Sequence, residues 1–285
     1  MFSLTLLSIY DNLNKFMKIK QKVGIIGLGN MGAAIYKALL SSNTFSLLAY
    51  DIDRKKTSKI RKGKLANTPG KVISGSDILI LAIKPQEISS FLKTQARLII
   101  KKKPLFISIA AGLEIKFFQK YLPGVSIIRA MPNIAATVGE SLSFISKNKF
   151  VSRAQLKHSL RIFSLLGETE VITEAWLNKV TAISGSGPGY VYFFMDSLFA
   201  SAIRLGFSKK VAKKIVLAVF SGSVKLAKSS GSDFSKLLAS VTSKKGTTEA
   251  GLGIFKKEST KSTIHKVVTK ASFRAKELSK TVSKT

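Results

Sequence analysis

Three glycines in the spacing Gly-x-Gly-x-x-Gly close the segment Val23-Gly24-Ile25-Ile26-Gly27-Leu28-Gly29-Asn30-Met31-Gly32. In a strand-to-helix turn, Gly27 permits a tight bend, Gly29 lets the backbone approach a pyrophosphate, and Gly32 lets the helix pack on the strand. We expect the anion to meet the helix N-terminus, with contacts from Gly27, Leu28, Gly29, Asn30, Met31 and Gly32. The segment predicts a dinucleotide-binding loop; a glycine-rich packing turn is the alternative.

An acidic residue, Asp51, ends the next apolar run. At this position a carboxylate would accept hydrogen bonds from the adenosine ribose, which favours NAD. Arg54, Lys55 and Lys56 follow closely, and any of them could hold the 2′-phosphate of NADP. Both NADH and NADPH therefore stay open, and so does a purely local role in which Asp51 caps the next helix.

Two more loops follow later apolar runs, Ala82-Ile83-Lys84-Pro85 and Ser108-Ile109-Ala110-Ala111-Gly112. In an open parallel sheet the carboxyl ends of the strands form the binding crevice. Ala82, Pro85, Ala110 and Ala111 would let the backbone come close to the nicotinamide ribose. Lys84 could reach a hydroxyl or a phosphate, or it could be a solvated surface lysine.

Short apolar runs alternate with helical patterns in the first part of the chain, and we predict strands over 22–27, 46–50, 77–83, 105–109, 125–130, 142–146 and 169–172. The helical patterns between them include 30–41, 86–100 and 152–166. This alternation predicts an α/β fold, with a Rossmann-like, doubly wound parallel sheet covered on both faces. After Glu174 helical spacing continues without strands, which predicts an all-α second part. Its helix-start signals are Pro188, Ser208 and Ser232.

The composition excludes some classes of site and leaves others open. The chain has 47 basic and 15 acidic residues and no cysteine, so it has no disulfide framework and no thiolate metal site or nucleophile. Lysines are spread along the chain and aromatic residues lie in apolar runs, which favours solvated lysine faces over a nucleic-acid site. His158 and His265 lie in charged helical segments without acidic partners at metal-ligand spacing. We expect no metal and no nucleic acid.

Neither apolar segment of note predicts membrane insertion. Residues 1–10 are apolar for too short a stretch and lack the flanking features of a signal peptide, so 1–16 reads as a non-essential extension before Met17. Residues 190–207 are interrupted by Asp196 and Arg204. We expect a cytoplasmic protein without a membrane partner.

Five motifs in this order resemble the pyrroline-5-carboxylate reductase family from about residue 17 to the tail. They are Gly-Leu-Gly-Asn-Met-Gly at 27–32, Ala-Ile-Lys-Pro at 82–85, Arg-Ala-Met-Pro-Asn at 129–133, Ser-Gly-Ser-Gly-Pro-Gly-Tyr at 184–190 and the segment at 241–251. The resemblance implies reduction of a cyclic imine carboxylate to proline with NADPH or NADH. It also implies a Rossmann domain over 17–173 and a helical dimerisation and substrate domain over 174–285. The helical domain would interlock with that of a second subunit, and such dimers often assemble into larger rings.

The resemblance also implies roles for individual residues. The loop at 241–248 would lie at a helix N-terminus and meet the cofactor of the partner subunit, cradling the substrate carboxylate with Ser243, Gly246, Thr247 and Thr248. Thr248 carries over as the catalytic hydroxyl nearest the imine nitrogen. Met131, Pro132 and Asn133 match a loop that closes the pocket near the nicotinamide, with Asn133 binding substrate. An ordinary capped turn between helices is the alternative for the Ser-Gly-Thr loop.

One residue departs from the family pattern: Lys245 stands where the family usually has glycine. If that glycine adopts positive φ, lysine would strain the loop by roughly 1 to 2 kcal/mol.

Two other functions remain as alternatives. A β-hydroxyacid dehydrogenase also opens with Gly-Leu-Gly-x-Met-Gly, but the Lys and Asn one helical turn apart that such enzymes carry are not found after Ser186. A basic nucleic-acid-binding Rossmann module is the non-enzymatic alternative.

Overall fold

One eight-stranded sheet forms the first part of the protein, whose computed structural model describes residues 20–58, 60 and 64–282. The predicted extension at 1–16 lies outside the described residues. The strands are β1 (Lys22–Ile26), β2 (Ser46–Tyr50), β3 (Lys64–Leu65), β4 (Ile78–Leu81), β5 (Leu105–Ser108), β6 (Ile127–Met131), β7 (Ser141–Lys147) and β8 (Gly167–Val171). They lie in the order β3-β2-β1-β4-β5-β6-β7-β8.

Helices lie between most of these strands and form most of the described chain after β8. They are α1 (Asn30–Ser42), α2 (Arg54–Thr57), α3 (Pro69–Ser74), α4 (Pro85–Lys102), α5 (Ile115–Tyr121), α6 (Arg153–Ser164), α7 (Glu174–Val180), α8 (Gly187–Arg204), α9 (Lys209–Ser230), α10 (Phe234–Ser240), α11 (Thr247–Lys257) and α12 (Thr260–Val282). A 3₁₀ turn covers Ile134–Val138, and a π-helical turn covers Thr181–Gly185.

The central strands are buried on both faces, which explains their continuous apolar sequences. All four residues of β4 and of β5 are buried. Successive side chains point to opposite faces: Ile80 belongs to one hydrophobic cluster, and Leu79 and Leu81 belong to the other. The two clusters confirm the predicted doubly wound α/β arrangement.

One strand pair departs from the predicted parallel sheet. β7 runs antiparallel to β6, with Ile128 opposite Lys147 and Met131 opposite Phe144. The connection between them holds only a 3₁₀ turn, which is too short for the helical crossover that parallel pairing requires. Sequence patterns also missed β3, because a two-residue exposed edge strand has no periodicity.

The described residues divide into two compact units. We call 20–185 together with 272–282 the sheet unit, and Ser186–Ala271 the helical unit. The described residues after Glu174 form no strand, as predicted. None of the described helices is long and apolar enough to cross a membrane.

Two of the three predicted helix-start signals in this region are confirmed. Pro188 lies in the first turn of α8, and the Ser208 hydroxyl caps α9 by accepting from the Val211 amide. The assignment of Ser232 as an N-cap is wrong, because Asp233 occupies that position before α10. Both residue types favour N-caps, so local sequence does not choose between neighbours.

Gly24 in β1 offers a test of how closely α3 packs on the sheet. A Cβ there would lie 2.6 Å from Val72 Cγ1 and would also collide with Ser76 Oγ. We expect Gly24→Ala to lower the free energy of unfolding by about 1–3 kcal/mol, because the buried neighbours must move. Urea unfolding followed by circular dichroism measures the change.

Gly70→Ala is the matched control, since its Cβ would meet nothing nearer than Leu98 Cδ2 at 3.5 Å. It should leave the unfolding free energy within about 1 kcal/mol of the parent value. Equal effects of the two substitutions would contradict the packing described for Gly24.

Candidate functional site

The sheet unit brings four predicted loops to one edge. β1 pairs in parallel with β2 and β4, so Ile26 lies opposite both Tyr50 and Leu81. The Gly27 amide donates to the Tyr50 carbonyl at 2.8 Å, and the Ala82 amide donates to the Ile26 carbonyl at 2.8 Å. Since β5 continues the same parallel array beside β4, the loops after β1, β2, β4 and β5 are neighbours. The strand order reverses between β1 and β4, where open α/β sheets bind ligands.

The glycine loop has the geometry that the sequence predicts. Gly27 has a φ of 95°, and a side chain there would strike the Ala82 carbonyl. A Cβ at Gly32 would collide with the Gly27 carbonyl. Over Gly29, by contrast, an added Cβ would meet nothing within 4 Å, and no side chain caps α1. The loop therefore offers open space and a free helix N-terminus, which fit a pyrophosphate.

The Asp51 side chain is hydrogen-bonded to the glycine loop. Its Oδ2 accepts from the Leu28 amide at 2.6 Å, its Oδ1 accepts from the Asp53 amide at 2.8 Å, and its side chain is only 6% exposed. The Lys56 ammonium lies 3.7 Å from the same Oδ2. The alternative that Asp51 caps the next helix is wrong, since Asp53 is the N-cap of α2.

The remaining loops at this edge present small side chains and one cation. Ala110 is buried, and Ala82 and Ala111 are partly buried. Lys84 is exposed as the N-cap residue of α4, with Pro85 in the first turn. An exposed ammonium at a helix N-terminus can reach an anionic ligand, although exposure alone also fits a surface lysine.

The Asn133 side chain forms hydrogen bonds within the sheet unit. Its Nδ2 donates to the Ser184 carbonyl at 3.1 Å, and its Oδ1 accepts from the Ala135 amide at 3.0 Å. A Cβ at Gly185 would lie 2.9 Å from Met131 Cε, so the π-helical turn packs closely on the end of β6. Such turns frequently mark functional sites. The run of Ser and Gly at 184–187 is the sequence signal for this close approach.

An ion pair that sequence reasoning missed, between a buried arginine and a partly exposed glutamate, supports β6. Arg129 Nη1 lies 2.8 Å from Glu174 Oε1, and the Arg129 side chain is 4% exposed. The same Glu174 oxygen accepts from the Ile115 amide at 2.6 Å. The pair joins β6, α5 and α7 just before the loop at 131–133. A lone arginine in an otherwise apolar strand was the available signal.

The helical unit holds the predicted substrate loop before α11. Gly246 is the N-cap of α11 and has no side-chain cap hydrogen bond, so no Ser or Thr residue occupies the N-cap position of this turn. The Gly246 amide donates to the Ser243 carbonyl at 3.0 Å, and a Cβ at Gly246 would collide with Ser243 Oγ. Thr247 and Thr248 are exposed in the first turn. Free helix amides and hydroxyls beside them can bind a carboxylate.

Lys245 has a φ of 58°, the left-handed conformation that glycine adopts without strain. The condition stated for strain at this departure from the family pattern, a positive φ at residue 245, therefore holds. Its amide donates to Glu249 Oε2 at 2.6 Å. Sequence analysis did not single out Glu249.

The described residues hold no group of three or more His, Cys, Asp or Glu side chains that could bind a metal ion.

Two family models match separate parts of the chain. The model described as pyrroline-5-carboxylate reductase dimerisation matches residues 174–278. The model described as NADP oxidoreductase, coenzyme F420-dependent, matches residues 22–112.

Known proteins are similar to the chain over most of its length. A pyrroline-5-carboxylate reductase of Methanosarcina acetivorans is 34% identical over 267 residues, covering 91% of this chain and 98% of that protein. One from Synechocystis is 33% identical over 265 residues, with coverage of 91% and 98%. The crystal structure of a Plasmodium falciparum pyrroline carboxylate reductase with NADP bound gives a TM-score of 0.83 at 30% identity, covering 91% of this chain and 100% of that one.

Two substitutions in the glycine loop separate ligand binding from folding. Gly29→Ala adds a methyl group in open space, so we expect a change of no more than about 1 kcal/mol in unfolding free energy. Dinucleotide affinity, measured by fluorescence titration, should fall about tenfold or more, because the methyl occupies the space for the pyrophosphate.

Gly32→Ala should instead destabilise the fold by about 1–3 kcal/mol through its collision with Gly27. Unchanged dinucleotide affinity in Gly29→Ala would mean that the ligand does not approach this loop.

Proposed function

The chain belongs to the pyrroline-5-carboxylate reductase family, and we propose that it reduces L-1-pyrroline-5-carboxylate to L-proline with NADPH or NADH. This reaction is the last step of proline biosynthesis, and we place it in the cytoplasm. The observation that carries the proposal is the open glycine loop at the strand-order reversal, in a chain 34% identical to a reductase of that name.

The cofactor would lie along the carboxyl edge of the sheet unit. The amides around Gly29 would bind the pyrophosphate. Asp51 would accept hydrogen bonds from the adenosine ribose with the carboxylate lone pairs that its bonds to the Leu28 and Asp53 amides do not use. Lys84 and the small residues of its neighbouring loops would border the nicotinamide ribose, with Ala82, Pro85, Ala110 and Ala111 allowing close approach. The reduced nicotinamide supplies the hydride.

The substrate carboxylate would bind at the start of α11. The first-turn amides have no side-chain cap, and the Ser243 and Thr247 hydroxyls lie on the same short loop with Gly246. A carboxylate there gains both hydrogen bonds and the favourable end of the helix dipole. Thr248 would hold the imine nitrogen or relay its proton. Asn133 would contact the substrate only through the donor and acceptor positions of its side-chain amide that its bonds to Ser184 and Ala135 do not use.

Orientation accounts for most of the catalysis in this proposal. A protonated cyclic imine is already electrophilic, so the site needs little acid catalysis and few titratable side chains. The chain's own groups bind the carboxylate, orient the ring and keep its proton on the nitrogen until the product forms.

We further propose a homodimer built through the helical unit, with the substrate loop of one subunit meeting the cofactor of the other. In Ser186–Ala271 the buried apolar side chains are Ala202, Ala212 and Val216, whereas Tyr192 is 61% and Phe193 69% exposed. So much exposed apolar surface on a helical unit needs a partner. A second copy of this chain fits the matched dimerisation model. A ring of such dimers is the larger assembly that the family resemblance implies.

The first measurement is reduced-nicotinamide absorbance with pyrroline-5-carboxylate, run in parallel with NADH and NADPH. We expect substrate-dependent oxidation with at least one cofactor. The ratio of the two kcat/KM values then reports the balance between Asp51, which favours NADH, and the cations at 54–56, which favour NADPH. No oxidation here, combined with reduction of NAD or NADP by a hydroxy acid, would instead support the β-hydroxyacid dehydrogenase alternative.

Thr248→Ala tests the catalytic hydroxyl. We expect kcat/KM for the imine to fall about 100-fold, with cofactor affinity retained, because only the contact to the reacting nitrogen is lost. Thr94→Ala, an exposed threonine of α4 with a local bond to the Phe91 carbonyl, is the control and should keep parental activity. Parental turnover and affinity in Thr248→Ala would remove this residue from the mechanism.

A further inference from the structure

Lys245 stands apart from the other described non-glycine residues with positive φ, which are Asn43, Lys103 and Ser259. Asn43 and Lys103 are the C-caps of α1 and α4, and Ser259 directly follows Glu258, the C-cap of α11. The left-handed conformation is common where helices end. Lys245 precedes a helix, so helix termination does not explain its conformation.

A lysine in this conformation incurs a steric cost that glycine avoids. Such residues persist where the surroundings over-determine them, and they cluster at binding sites. The Lys245 side chain is exposed, so it is not packing of that side chain that holds the backbone. The contact that keeps Lys245 at positive φ must therefore involve the backbone of the loop itself.

Glu249 supplies that contact. It is the third residue of α11, and its Oε2 accepts from the Lys245 amide at 2.6 Å. The arrangement resembles a capping box in which the acid reaches one residue further back, past the N-cap Gly246. The bond is charge-assisted, and the carboxylate lies at the end of the helix that favours negative charge. A second bond, from the Gly246 amide to the Ser243 carbonyl, closes the same turn.

We call the bond between the Lys245 amide and the Glu249 carboxylate the brace. It does not use the amides that would donate to the substrate carboxylate. Glu249 bonds to an amide in front of the helix, whereas the first-turn amides of α11 have no side-chain cap. We infer that Glu249 is a positioning residue, whose carboxylate holds Lys245 in the left-handed conformation and so shapes the Ser243–Thr248 loop for the substrate carboxylate. The identity of that carboxylate rests on the proposed function; the brace itself does not.

Four variants of the full-length chain test the inference: Glu249→Ala, Glu249→Gln, Lys245→Gly and the double variant Glu249→Ala with Lys245→Gly. Glu249→Ala should raise KM for pyrroline-5-carboxylate about tenfold, with smaller changes in kcat and in the KM of the reduced cofactor. Glu249→Gln should stay within about threefold of the parent, because the amide oxygen can still accept from Lys245.

The double variant is the decisive comparison. Glycine adopts positive φ without a brace, so removing Glu249 should cost much less once residue 245 is glycine. We expect the double variant to match Lys245→Gly within about twofold in substrate KM, which is non-additivity of the kind that coupled sites show. A double variant as impaired as Glu249→Ala overturns the inference. A lower substrate KM in Glu249→Ala also overturns it, since Glu249 would then compete with the substrate.

Amide hydrogen exchange of the substrate-free protein separates this inference from the proposed function. The Lys245 amide should exchange about tenfold faster in Glu249→Ala and near the parental rate in Glu249→Gln. Unchanged protection in Glu249→Ala overturns the brace whatever the activity. Faster exchange in a protein that shows no imine reduction leaves the brace standing and rejects the proposed function.

Discussion

Close backbone contact at Gly27 and Gly32 is the constraint on which the sheet unit depends. The Gly27 backbone lies against the Ala82 carbonyl on one side, and Gly32 lies against Gly27 on the other, so neither position has room for a side chain. This contact brings the start of α1 onto the ends of β1 and β4. The free helix N-terminus, the open space over Gly29 and the Asp51 carboxylate then share one edge. Any residue larger than glycine would separate them.

The two units obtain stability in different ways. The sheet unit has two hydrophobic clusters, one on each face, and both are built from residues of one chain. The helical unit buries few side chains and exposes many apolar ones, including Phe193 and Phe255. A core that one chain leaves exposed can be completed by a second copy. The proposed substrate loop lies in this helical unit, and the bond from the Lys245 amide to Glu249 fixes part of it within one chain.

Several polar side chains near the proposed binding loops form hydrogen bonds to the backbone. Asp51 accepts from two amides, Asn133 bonds to the π-helical turn, and Glu249 bonds to Lys245. Each of these bonds orients a loop where the proposed ligands bind. Preorganised loops lose less conformational entropy on binding, so affinity and orientation improve together. The Arg129 and Glu174 ion pair has the same effect at the end of β6, just before the loop at 131–133.

Much of the molecule could be read from the sequence because its signals are local. The glycine spacing, the alternation of strands and helices and the change to helices after Glu174 depend on residues close together in the chain, and five ordered motifs identified the family. What only the tertiary structure decided are contacts between distant residues: Leu28 with Asp51, Asn133 with Ser184, and the antiparallel direction of β7. Glu249 is close to Lys245 in sequence, yet its role depends on a side-chain direction that the turn geometry sets. Local patterns determine which elements form, whereas hydrogen-bond partners and strand directions follow from how the folded chain brings those elements together.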